Sequence, residues 1–186
     1  WVRDSTNLKN VGLAFRLFEV DHQGHFPMSV TTNAGGSLEF VGVDREIFRH
    51  FQVMSNELST PKILVSPSDD QPVRLEASRF GPENGPEQWQ VGLRGNRNVS
   101  YFVGIDADEA APTSLLSGNR WITNSARPTI DSADHIAFGH DIKSLRSGSR
   151  RVGWQRSAMD RRGGWIVFGD GSGGVLTDRG LEEGRS

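Results

Sequence analysis

Residues 4–22, DSTNLKNVGLAFRLFEVDH, constrain this chain more than any other stretch. Leu8, Val11, Phe15 and Phe18 recur at the i, i+3, i+4 spacing of one helical face. A strand would send members of that set to opposite sides. The spacing therefore predicts one continuous helix over 5–22, with an apolar row that some other part of the fold must cover. Asp4, Ser5 and Thr6 are residue types that cap helix N-termini, yet the chain opens just ahead of them and the helix could equally continue upstream of Trp1. It should stop at DHQGHFP, where Gly24 supplies the C-cap and Pro27 blocks continuation.

A loop comes next, with TTNAGGS as its most flexible part. Residues 44–58, DREIFRHFQVMSNEL, then predict a second amphipathic helix. Asp44 is its N-cap, and Ile47, Phe48, Phe51 and Met54 or Leu58 form its apolar stripe. Ile63, Leu64 and Val65 make a short β-rich run closed by Pro67. Between Gln71 and Arg97 the chain is rich in Pro, Gly, Glu and Arg without a persistent period, which reads as an excursion and not as a second domain. The C-terminal half is a strand series. NVSYFVGI (98–105), HIAFGHDI (135–142) and GWIVFGDGSGGVLTD (164–178) carry β-branched and aromatic residues between turn signals, and NRWIT is a weaker strand. Helices followed by an antiparallel sheet is an α+β pattern. At 186 residues and 35% hydrophobic content, it fits one globular domain over 1–186, with a helical part at 1–23 and a sheet region at 98–178.

Composition removes several chemistries. With no cysteine there are no disulfides, zinc thiolates or thiol nucleophiles. The formal net charge of −2 gives no pull toward nucleic acid or a membrane surface, and no window approaches the ~18 consecutive apolar residues of a membrane span. GDGSGG (169–174) is one glycine away from the nucleophile loop of chymotrypsin-like proteases, but Gly171 separates Asp170 from Ser172, and Asp-Gly between hydrophobic runs is a hairpin signal. It reads as a turn. A calcium-loop reading of the same segment needs a Glu at the twelfth position, where Leu181 stands. Asp106, Asp108 and Glu109 are a better set of hard oxygen ligands for Ca²⁺, but one short segment rarely completes a coordination shell, so a solvated acidic turn ending an edge strand is the favoured reading. Of the histidines, His22 and His25 flank the end of the first helix, His50 lies in the second, and His135 and His140 point to opposite faces of a predicted strand. Residues 143–162 hold one Lys and six Arg against a single Asp, a patch for an anionic polymer or simply a solvated loop.

Asn7–Pro27, Ser55–Asp69, Asn98–Pro112 and Gly163–Leu176 together, in this order, resemble the bacterial pseudopilins of type II secretion, in particular the G-like group of planctomycetes and verrucomicrobia. Such proteins pass from a long helix into an Asp-x-x-Gly-x-Phe/Tyr-Pro turn, matched by Asp21 to Pro27, and their C-terminal hairpin is similar to GDGSGGV. The family's Cys-Pro-Ser/Ala-Asp is SPSD here, with Ser66 at the cysteine position. The resemblance implies a pilin-like fold in which the N-terminal helix packs on the C-terminal antiparallel sheet. It also implies a chain that continues upstream of Trp1 into an apolar segment anchored in the inner membrane, with this domain in the periplasm.

Its expected role is that of a non-enzymatic filament subunit. Partners would be other pseudopilin subunits and inner-membrane secretion proteins, not nucleic acid, and Leu8, Val11, Phe15 and Phe18 would supply subunit packing, with part of that row also holding the sheet. No cofactor is implied. Calcium is known in the family's C-terminal loop, but no residue here matches that loop. Two other readings stand beside it: a carbohydrate- or anion-binding envelope domain using the 143–162 loop with Trp89, Trp121 and Trp154, and a hydrolase pairing Ser172 with a distant histidine.

Overall fold

The computed structural model describes residues 2–43, 45–69, 74–81, 90–119, 122–123, 137–138, 153–154 and 163–177. Helix α1 runs over Val2–Asp21, so the expected helix is present and begins three residues earlier than 5. Its 20 residues make it about 30 Å long. Ser5 and Thr6 do not cap it. Their hydroxyls donate back to the Val2 carbonyl at 2.8 and 3.0 Å, the habit of these residues inside a first turn. The C-terminal end differs from expectation as well. The left-handed position belongs to Gln23 (φ 58), Gly24 comes next with φ 86, and the Gly24 N–H reaches the Glu19 carbonyl at 3.0 Å.

Chain 27–40 is built from short 3-10 turns at Pro27–Ser29, Thr32–Ala34 and Leu38–Phe40. The stretch expected to be most flexible is thus a folded corner, with Gly35 at φ 88 and the Thr32 N–H donating to Glu39 Oε2 at 2.8 Å. The predicted second helix is two: α2 (Ile47–Gln52) and α3 (Ser55–Leu58). The helix breaks at Val53 and Met54, where the Met54 N–H takes the Phe51 carbonyl in a tightened turn. The break leaves the whole stripe of Ile47, Phe48, Phe51, Met54 and Leu58 buried. Asp44, the predicted cap, lies outside the described residues. Ile63–Val65 is not a strand. Pro61 opens a 3-10 turn over Pro61–Leu64, and Thr60 accepts the Lys62 N–H at its start. Proline pre-sets the turn's φ and overrides the β propensity of Ile63, Leu64 and Val65.

The sheet comprises β1 (Tyr101–Gly104), β2 (Leu115–Asn119), β4 (Ala137–Phe138), β6 (Gly164–Phe168) and β7 (Gly173–Leu176), in the order β4-β1-β2-β6-β7. β1, β2, β6 and β7 pair antiparallel. β4 adds to β1 in parallel, so the edge departs from the antiparallel expectation. A separate pair joins β3 (Ile122–Thr123) to β5 (Gly153–Trp154). β2 has no counterpart among the expected strands: LLSGN has no β-branched residue, yet it is the strand between β1 and β6, and its last four residues are buried. In the 71–97 excursion, described residues pair with one another, with Leu75 N–H to the Arg97 carbonyl (3.1 Å) and Leu93 N–H to the Arg79 carbonyl (2.9 Å).

α1 lies across β2, β6 and β7 and also meets α3. Close approach depends on Gly12, where a Cβ would stand 2.6 Å from Val167 Cγ1. Phe15 anchors the core between the rings of Phe26 and Phe51, both edge-on at about 6 Å (6.1 and 6.0 Å).

Candidate functional site

α1 has two apolar rows. Leu8, Val11, Phe15 and Phe18 are sealed in the molecule's own core. The row thus holds the helix on the sheet, as its spacing led one to expect, and this leaves it no surface for packing subunits. Leu13, Leu17 and Val20 recur at the same helical spacing but are 57, 46 and 74% exposed, with Val2 at 81% further up. At about 100° per residue the two rows lie on nearly opposite sides of the helix. A helix apolar on both sides is expected where one side meets its own domain and the other meets something else. The signal was present in the sequence, in the same stretch as the inner row. On the outer side Thr6, Lys9 and Asn10 make the upstream half polar, so the apolar character gathers toward the C-terminal end.

The upstream end of α1 is tied down by polar contacts. Asp4 is buried and its two carboxylate oxygens accept the hydroxyls of Ser66 and Ser68. Ser66, where the resembled family carries cysteine, thus works as a hydrogen-bond donor. Next to this, Asp69 and Arg74 form a buried ion pair at 3.1 Å, and Arg74 Nη1 donates to the carbonyls of Asn96 (2.5 Å) and Val99 (2.7 Å). Those bonds offset the desolvation of both charges. The nearby Tyr101 hydroxyl is held above its ordinary pKa by burial, with the Asp4 charge acting in the same direction.

The downstream end carries the acidic residues Asp106, Asp108 and Glu109. Asp106 and Asp108 are exposed, and Asp108 Oδ1 accepts the Ala110 N–H at 2.9 Å, closing its own turn. Glu109 does not join them: its Oε1 faces Arg16 Nη2 at 3.3 Å. Among the described residues no group of three or more His, Asp or Glu side chains is arranged to hold a metal ion. Ser172 serves a hairpin turn between β6 and β7. Its N–H donates to Asp170 Oδ1 (2.8 Å), its carbonyl accepts the Phe168 N–H (2.9 Å), and bonding to Ser172 lowers the Asp170 pKa.

A different serine and histidine do meet. Ser37 Oγ lies 2.7 Å from His50 Nδ1, but both residues are 0% exposed, so the pair joins the 3-10 corner to α2 and is closed to any substrate. Burial pushes the His50 pKa down to about 4. His22 is turned inward, its ring stacked on Phe18 at 3.7 Å and its Nδ1 2.7 Å from the Phe18 carbonyl. Trp89, Trp121, His135, His140 and the charged residues of 143–162 lie outside the described residues, as does the side chain of Trp154.

No helix among the described residues is long and apolar enough to cross a membrane. The chain matches no protein-family model, no curated protein and no solved structure.

Proposed function

We propose that this is the periplasmic domain of a pilin-like, pseudopilin-type subunit, held in the inner membrane by a segment upstream of Trp1, which assembles with other such subunits through α1. The observation that carries the reading is the exposed row Leu13, Leu17 and Val20, on the side of α1 that the sheet leaves uncovered. Burying such residues is worth about 1.5–3 kcal/mol each, enough to favour helix–helix contact between subunits whose helices are already aligned by an anchor. In this reading the outer row, and not the inner one, packs subunits together. The domain itself performs no chemistry and takes no cofactor, its partners are other pseudopilin subunits and inner-membrane secretion proteins, and its place is the cell envelope.

Two measurements test this. The gene upstream of residue 1 should encode an apolar span of about 20 residues continuous with α1. Because the chain has no cysteine, single-cysteine variants of the full-length protein report contacts cleanly. Leu17→Cys should cross-link copy to copy in the envelope, while Arg94→Cys, exposed on the 71–97 excursion, should not. Absence of an upstream apolar span, or equal cross-linking of the two variants, would overturn the reading.

A further inference from the structure

Where α1 ends, the loop after β1 and the turn between β6 and β7 converge on one side chain. Arg16 Nη1 lies 2.6 Å from Glu19 Oε2 and donates to the Gly169 carbonyl at 3.4 Å, and Arg16 Nη2 faces Glu109 Oε1 at 3.3 Å. Loop and turn are also stitched to each other, by Gly169 N–H to the Ser114 carbonyl (2.9 Å) and Asp170 N–H to the Pro112 carbonyl (3.2 Å). Gly171 fits against the Arg16 stem, where a Cβ would stand 3.1 Å from its Cγ. One guanidinium therefore serves two carboxyl groups and a carbonyl drawn from three segments.

We propose that Arg16, Glu19 and Glu109 form an acid-tightened latch, in which one proton held between the two carboxyl groups fastens the 105–114 loop and the 169–172 turn to α1. The charge balance leads to this. Two ionised carboxylates on one guanidinium leave an excess negative charge, and Asp108 from the loop and Asp170 from the turn add to it. His22, just past the end of α1, stacks its ring on Phe18 and turns Nδ1 to the Phe18 carbonyl. The Glu19 side chain is 4% exposed and that of Glu109 47%, so Glu19 is the one that burial favours as the neutral acid. A hydrogen bond between the two carboxyl groups requires a proton on one of them. Consistently, the Glu19 pKa is raised, first by burial and then by its bond to Glu109. A raised carboxyl contributes stability below its unfolded value of 4.5 that is lost as pH rises through the folded value, so the latch closes in acid and loosens in base. The latch stands independently of the filament reading.

The test is amide hydrogen exchange of Gly169 and Asp170, expressed as protection relative to intrinsic exchange at each pH. In the unaltered protein, protection should fall at least tenfold from pH 4.5, the unfolded carboxyl value, to pH 8. In Glu19→Gln the amide donates permanently to Glu109, leaving one carboxylate on one guanidinium, so protection should be high and equal at both pH values. Glu109→Gln, at an exposed position that tolerates change, should flatten the response in the same way if Glu19→Gln fails to fold. Flat protection in the unaltered protein would overturn the latch, as would an undiminished tenfold fall in whichever of these variants folds.

Discussion

Gly12 illustrates how far one residue's requirements can run against its local preference. In the middle of α1, glycine costs about 1 kcal/mol of helix propensity relative to alanine. The structure accepts that cost because a Cβ at position 12 would meet Val167 Cγ1 at 2.6 Å, on a buried and β-branched side chain with little freedom to move aside. Overpacking of this kind costs about 1–3 kcal/mol. Gly12→Ala is therefore expected to lower the urea midpoint at unchanged m-value, corresponding to a loss of about 1 kcal/mol net of the propensity gain. A stabilised variant would mean that β6 yields to the methyl group. Gln23 shows the converse: a non-glycine residue holds the left-handed position that ends α1, and Gly24 takes the next one.

Among the elements, α1 has two rows with opposite duties, and mutation separates them. Phe15 sits at 0% exposure between two other rings, so Phe15→Ala should cost about 3–5 kcal/mol in chemical unfolding. Leu17→Ala, on the outer row, should stay within about 0.5 kcal/mol in the isolated domain. A large loss at Leu17 would mean that the outer row is already covered within one chain. The loop after β1 has its own test. With Glu109 drawn to Arg16 and Asp108 closing its own turn, millimolar calcium is expected to leave the melting temperature where chelator puts it. A rise of several degrees that disappears in Asp108→Ala would assign the loop a calcium site.

Across the whole molecule, stability should depend on pH through groups acting in opposite directions. His50 takes up a proton near 6.5 when unfolded and near 4 when folded. As pH falls below 6.5 the unfolded chain binds a proton that the folded one refuses, and roughly 3 kcal/mol of stability is lost by pH 4. Glu19 acts the other way, its contribution present in acid and lost as pH rises. The unfolding free energy should therefore fall steeply on the acid side, and His50→Gln should flatten the fall between pH 6.5 and 4. An unchanged slope in that variant would move the acid sensitivity elsewhere.

The sequence by itself determined the elements whose signals are local. A 3.6-residue apolar period marked α1 and the stripe of α2 and α3, and Asp-Gly between hydrophobic runs marked the β6–β7 turn. Tertiary structure decided whatever depends on which partner arrives. β2 has no strand-forming composition and exists because β1 and β6 bond it on both sides. Ile63–Val65 has that composition and turns instead. The joining of Asp4 to Ser66 and Ser68, of Arg16 to Glu109, and of Ser37 to His50 could not be read from spacing, since these contacts cross sequence separations of 13 to 93 residues. Likewise, the inner and outer rows of α1 are alike in period and apolar character. They differ because the sheet and the helical turns around Phe26 and Phe51 cover one of them, and burial belongs to the folded molecule.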